Sequence, residues 1–301
     1  MKAKLRCIHC ILKKYGNLYN KYESNEDKRI EFLKKIFAIM ANCDKEDTAA
    51  YISSKIEQTL RDEIGESDIY FHIKKKYNEL LLSMENEILK NIYASEDKVL
   101  SALKYAMVGN FIDFGAMDDV PVDKLKELID NALNKSIDMM QYNKFIKDLN
   151  KYKNIVYITD NAGEIVFDKV FIKILKEVYK DINIDVMVRG GVAANDATIE
   201  DAEEIGLTKM VNVFGSGAHM MGTQLDKISE KAQKTINDAE IIIAKGQGNF
   251  ETLSGCSKNV YYAFLCKCDM FVSLFNIERF QGVFINEKDL QKIMVKLEGD
   301  L

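Results

Sequence analysis

No long apolar run occurs in this 301-residue chain. The longest, at residues 241–244 and 260–265, fall far short of the roughly 20 residues a membrane-crossing helix needs. A membrane partner is therefore not expected. No charged-then-apolar leader is present either, because Cys7, His9 and Cys10 follow the first six residues directly; the expected compartment is the cytoplasm. Charge of one sign is also missing. The formal net charge is −5, with lysines interleaved among aspartates and glutamates, so there is no general attraction for nucleic acid or anionic lipid. Six cysteines are too few for a disulfide framework in a chain of this size and are expected as free thiols. Tryptophan is absent and Pro121 is the single proline; with the richness in Lys, Ile and Asn this is a compositional bias that carries no mechanism.

What is present is an ordinary globular balance, 47% hydrophobic and 30% charged residues. Residues 1–150 read as helices almost throughout. In residues 27–41 the apolar positions Ile30, Phe32, Leu33, Ile36, Phe37, Ile39 and Met40 recur at helical spacing. The period returns around Ile56 and Leu60, over residues 77–92 and over 99–107, and a further helix is expected from Pro121 through Leu133. Near Tyr152 the pattern changes. Short β-branched runs at 154–159, 182–189, 210–214 and 239–245 alternate with helical stretches at 166–179, 198–205 and 226–235. Residues 260–265 and 270–274 are candidates for one or two more strands. This predicts an α/β fold: a helical region over residues 1–150, packed on a Rossmann-like domain over 151–301. Its sheet should be mostly parallel, with helices on both faces.

In such sheets ligands bind beyond the carboxyl ends of the strands. Asp160-Asn161-Ala162-Gly163-Glu164 follows the first predicted strand, and Arg189-Gly190-Gly191 with Asn195-Asp196 follows the second. Gly215-Ser216-Gly217-Ala218-His219 follows the third, and Lys245-Gly246-Gln247-Gly248-Asn249 the fourth. The opposite strand ends carry nothing comparable. A lone Asp or Asn after a strand ordinarily caps the next helix; it is the convergence that points to a site. Asp160, Asn161 and Asp196 form a hard-oxygen donor set suited to Mg²⁺ or Mn²⁺. Lys245 is placed to hold a phosphate oxygen, the surrounding glycines admit backbone N–H groups to an anion, and Glu164 can orient a ligand or act on water. Together these parts suit phosphoryl transfer to water. Gly246 and Gly248 match neither a Walker loop nor a dinucleotide fingerprint, which excludes nucleotide binding by those routes.

Cys7 and Cys10 supply half of a structural zinc site, with Cys266 and Cys268 an unusual second pair; the reading is a structural or incidental pair. Cys43 and Cys256 are expected as buried small apolar residues. His72 reads as exposed on a polar helix and His219 as a loop bystander.

The motifs resemble those of the damage-control phosphatases, long catalogued as a domain of unknown function. The likeness covers nearly the whole chain. Cys7-x-x-Cys10 resembles the mark of the archaeal and bacterial branch. Gly109-Asn110-x-Ile112-Asp113-Phe114-Gly115, the Asp160 segment with Phe167-Asp168, and Asn195-Asp196-Ala197-Thr198 match it. Gly246-Gln247-Gly248-Asn249-Phe250-Glu251 and Lys267-Cys268 follow in the expected order. The resemblance implies a phosphatase of small phosphorylated metabolites that uses a divalent metal (Mg, Mn, Co or Ni), held by Asp160, Asn161 and Asp196, with Lys245 on the phosphate. It implies that Asn110 and Asp113 face the site from the helical region and that Asn249 and Glu251 complete the pocket. Arg189, Asn195, Gly246 and Gly248, at the same strand ends, are expected to contact substrate. One departure is the stretch from Gly190 to Ala194, which lacks the family's usual proline. The rival expectations are a non-catalytic protein that binds a phosphorylated ligand or metal and, disfavoured by Asp160-Asn161 where a glycine-rich loop would stand, a methyltransferase.

Overall fold

A computed structural model of the protein describes residues 1–109 and 122–299. Among the described residues, helices α1 (Leu5–Tyr19), α2 (Glu26–Ala41), α3 (Ala49–Ile64), α4 (Phe71–Ala94), α5 (Lys98–Val108), α6 (Val122–Leu133) and α7 (Met139–Lys151) precede the first strand. Their starts are written in the sequence. Asn25 accepts from the Lys28 N–H, Thr48 from Tyr51 and Asp97 from Leu100, each filling a donor the helix cannot satisfy internally. Gly65, at φ +79°, ends α3 in the left-handed conformation. No described helix is long and apolar enough to cross a membrane.

From Asn154 the chain alternates: β1 (Asn154–Ile158), α8 (Glu164–Val178), β2 (Asn183–Val188), α9 (Ile199–Glu204) and β3 (Asn212–Gly215). α10 (Glu230–Asp238), β4 (Ile241–Lys245), α11 (Gly246–Leu253) and β5 (Val260–Leu265) follow. The chain then adds α12 (Asp269–Phe275), β6 (Gly282–Asn286) and α13 (Glu287–Gly299). The strands form one six-stranded sheet in the order β3-β2-β1-β4-β5-β6. All neighbours are parallel except β5 and β6. The expected α/β architecture is therefore present.

One expectation is corrected. Residues 270–274, a candidate strand, belong to helix α12; a short apolar run does not separate a strand from a buried helical turn. The sixth strand is instead Gly282–Asn286, and it runs antiparallel at the edge. The glycine-rich stretch after β4 opens directly into helix α11.

Alternation along the strands divides the core. Ile155, Tyr157, Ile241, Ile243, Tyr261 and Ala263 pack in one cluster with α4, α5, α7 and α8. Val156, Ile158, Ile242, Ala244, Tyr262 and Phe264 pack on the other face with α10, α11 and α12. There Phe250 of α11 is fully buried among the rings of Tyr262, Phe264, Phe271 and Phe275. Helices α1 to α3 close around their own core of Tyr15, Phe32, Ile36, Ile56 and Leu60. They reach the α/β region through polar contacts at strand-end loops: Arg61 Nη1 donates to the Val192 carbonyl at 2.9 Å, and the Ala194 N–H donates to Glu57 Oε1 at 2.5 Å.

Candidate active site at the crevice between β1 and β4

The strand order reverses between β1 and β4. The chain leaves β1 toward β2 on one side and leaves β4 toward β5 on the other, which opens a crevice beyond their carboxyl ends. Asp160 and Asn161 leave β1 there, and Lys245 and Gly246 leave β4. The two ends touch: a Cβ on Gly246, whose φ is +77°, would lie 1.9 Å from Asp160 Oδ2. Glycine is thus required twice at that position, for the backbone angle and for the carboxylate beside it. The loop after β2 is stitched to the same place. Ala162 N donates to the Asn195 carbonyl at 2.9 Å, Ala197 N donates to the Asp160 carbonyl at 2.7 Å, and Asn161 and Asp196 form an isolated bridge.

Asn161 is oriented by its neighbours. Its Nδ2 donates to Asp160 Oδ2 and Glu164 Oε2, both at 2.9 Å, while its Oδ1 accepts from Asn195 Nδ2 at 2.9 Å. An ionised carboxylate only accepts, so Glu164 holds the NH₂ end of the amide toward itself and turns the oxygen the other way.

Arg189 is the hub of the rim. It is 1% exposed and its Nε donates to Asp196 Oδ2 at 2.5 Å, with Nη2 3.5 Å from Asp160 Oδ1. Its Nη1 donates to the Gly222 carbonyl at 2.7 Å and to Asn249 Oδ1 at 3.2 Å. Asn249 in turn donates to the carbonyls of Thr159 and Lys245, at 3.0 and 2.6 Å, which ties α11 to β1.

Lys245 lies deeper and is wholly buried. Its ammonium donates to Glu164 Oε1, Asp168 Oδ1 and the Ala106 carbonyl of α5, each at 2.6 Å. Those three bonds use the three protons a lysine offers. Asp168 also accepts from the Tyr157 hydroxyl at 2.6 Å, and its Oδ2 is buried with no hydrogen-bond partner.

The electrostatics ask for a cation. Burial, then Asp196 and Glu164, push the Asp160 carboxyl well above its ordinary range. Burial likewise raises Asp196, against the pull of Arg189. Burial raises Asp168 to about 6, with Lys245 opposing. The crevice gathers four buried acids (Asp160, Glu164, Asp168, Asp196) about two buried cations (Arg189, Lys245), with Lys267 and Lys14 acting from outside on Asp160 and Asp196. No group of three or more His, Cys, Asp or Glu side chains is set as metal ligands among the described residues. The available donor set is two carboxylates and an amide oxygen, which fits a hard divalent ion that keeps waters in its shell.

The remaining expected residues fall in different places. Asn110 and Asp113 lie outside the described residues. Gly248 and Glu251 line a cavity of about 470 Å³ between α1, α3 and α11, and burial lifts the Glu251 carboxyl to about 7. His219 packs against Gly191 and lines a larger cavity, about 1090 Å³, whose walls include none of the expected site residues. Sequence reasoning passed over Asp168 as a site residue, although its spacing of four from Glu164 put both on one face of α8. It also missed Thr223, whose hydroxyl donates to Asn249 at 2.8 Å from a loop with no local signal.

Residues 3–283 match the damage-control phosphatase ARMT1-like domain. The chain belongs to that family. A damage-control phosphatase of Pyrococcus horikoshii is 29% identical over 272 residues, covering 89% of this chain and 92% of the relative. One of Archaeoglobus fulgidus is 28% identical over 281 residues, covering 89% and 93%. An uncharacterized protein of Methanocaldococcus jannaschii is 29% identical over 278 residues, covering 89% and 90%. The crystal structure of a DUF89 family protein from Pyrococcus horikoshii superposes with a TM-score of 0.85 at 26% identity, over 95% of this chain and 99% of that one. Membership of the ARMT1-like family thus extends across both the helical part and the α/β part.

Proposed function

We propose that this ARMT1-like protein is a metal-dependent phosphatase that hydrolyses phosphate monoesters of small metabolites. The observation that carries the reading is the pair of buried carboxylates, Asp160 and Asp196, brought to one crevice between β1 and β4, with Asn161 fixed beside them. Asp160, Asn161 and Asp196 would hold the ion. When bound, a divalent ion supplies Lewis-acid neutralisation of the phosphoryl oxygens and activation of water. The chain's own residues prepare the place. Arg189 fixes Asp196 and fills the crevice wall. Glu164 sets the Asn161 amide. Lys245, with its protons spent on Glu164, Asp168 and Ala106, is a positioning residue that keeps the Glu164 carboxylate in place. In this reading residues 151–301 carry the chemistry, residues 1–150 cover it, and substrate enters between them.

The test is p-nitrophenyl phosphate hydrolysis by metal-stripped protein with Mg²⁺, Mn²⁺, Co²⁺ or Ni²⁺ added back. Activity should return with metal and fall about 10³-fold in Asp160→Ala and Asp196→Ala, since a catalytic ion contributes several kcal/mol to the transition state. No turnover with any metal, in protein whose circular dichroism shows it folded, would instead favour a non-catalytic phosphometabolite-binding protein.

A further inference from the structure

One face of α1 has no part in the crevice chemistry, yet it is not blank. Arg6, Cys7, Cys10, Ile11 and Lys14 recur every three to four residues, and all five line the 470 Å³ cavity. That volume lies within the range of small-molecule sites. Across from them, Gln247 and Gly248 at the start of α11 and Lys267 after β5 form the opposite wall. The cavity is therefore built from both ends of the chain and abuts the turn that carries Gly246.

Its cations are graded in position. Lys14 bears electrostatically on Asp196 and on Glu57, and Lys267 bears on Asp160. The cavity meets the crevice through Gln247 and Gly248, which adjoin the Gly246 turn against Asp160. Arg6 precedes Lys14 by eight residues on the same helical face, about 12 Å along the axis at 1.5 Å per residue. Of the other charged groups in the wall, Arg279 stands 3.9 Å from Asp269. Glu251 is an acid whose burial favours its neutral form. Four cations (Arg6, Lys14, Lys267, Arg279) thus stand against two acids (Glu251, Asp269) in this wall, an excess of positive charge with one end beside the Gly246 turn and the other at Arg6.

We propose that this cavity selects phosphate monoesters that carry a second anionic group, with the scissile phosphate at the Lys14 and Lys267 end and Arg6 receiving the distal anion. The inference rests on the phosphatase reading for which anion is cleaved, but not for the binding itself. A phosphate or a carboxylate at the far end satisfies the same chemistry, since a guanidinium pairs with either in a fork.

The experiment measures binding apart from turnover. Carbon-linked phosphonate analogues of a hexose 6-phosphate and a hexose 1,6-bisphosphate, which a phosphatase does not cleave, are titrated calorimetrically into the full chain with Mg²⁺ present. The bisphosphonate should bind at least tenfold more tightly, the scale of one charge-assisted contact. Arg6→Ala should close that gap, and Arg6→Lys should restore part of it. Arg6 is exposed on α1, so its replacement is expected to leave the fold intact. Equal affinities in the unaltered protein, binding of neither analogue, or a gap that survives Arg6→Ala would overturn the proposal. Hydrolysis of the two phosphate esters is assayed alongside. Selective binding without hydrolysis would bring down the phosphatase reading and leave the second-anion site standing; hydrolysis of both esters at equal kcat/KM would do the reverse.

Discussion

Two clusters of the same charge pattern sit within the crevice region, each one cation with two carboxylates, and they differ in depth. Lys245 with Glu164 and Asp168 is sealed, every member fully buried, and the cation's protons are consumed by protein oxygens. Arg189 with Asp160 and Asp196 lies at the rim, where the Asp160 side chain keeps 12% of its surface. The inner cluster's cation is spent on holding other residues in place, while the outer one leaves carboxylate surface at the rim. Charge inventory alone does not separate structure from chemistry. Depth does.

Breaking the inner cluster should cost most in stability. Lys245→Met leaves Glu164 and Asp168 buried without their cation, and urea unfolding should show a loss of about 3–5 kcal/mol. A loss below about 1 kcal/mol would mean that the cluster is solvated, and the contrast with the rim would dissolve. The turn between the clusters comes next. Gly246→Ala imposes a side chain at φ +77° against the Asp160 carboxylate, for about 1–3 kcal/mol of strain. Its activity should fall further than its stability, because Asp160 is what must move. If melting temperature drops while kcat/KM holds, Asp160 is not where the chemistry lies.

A third cluster inverts the composition and supplies the smallest effect. At the surface Asp289 accepts from Lys144 and Lys292, both at 2.7 Å, and from Gln141 at 3.2 Å. Partial burial opposes ionisation there, but those donors outweigh it and hold the carboxyl well below its ordinary range. A depressed acid contributes stability above its unfolded pKa and loses it as pH falls toward the folded value. Asp289→Asn should therefore cost up to about 1 kcal/mol at neutral pH, after allowance for screening at a partly exposed site. The difference between variant and parent in denaturant melts should shrink as the pH is lowered below about 4. A difference independent of pH would assign the effect to packing.

The rim was legible because strand-end chemistry is local. Asp160, Asn161, Arg189, Asn195, Asp196 and Asn249 each follow a strand by a few residues and Lys245 ends one, and parallel strands bring their carboxyl ends to one edge whatever joins them. Partners supplied from a distance were not legible. The Ala106 carbonyl under Lys245 comes from α5, and the cavity face of α1 looked in sequence like a lone Cys-x-x-Cys, because Lys267 and Gly248 are more than 230 positions away. Edge strand β6 was missed and helix α12 misread for a simpler reason. Their runs are too short for periodicity to decide, and in α12 it is the packing of Phe271 against Phe250 that a helix satisfies.

Asn78 of α4 has a consequence beyond its own hydrogen bonds. Its Oδ1 accepts from the Gly163 N–H at 2.6 Å and its Nδ2 donates to Asp201 Oδ1 at 2.8 Å, across sequence separations of 85 and 123 residues. One buried amide thus pins together the turn that bears Asn161 and the helix that follows Asp196. Contacts that close such long loops carry an entropic cost, so the alignment of the two strand-end turns depends on α4 being seated against both of them.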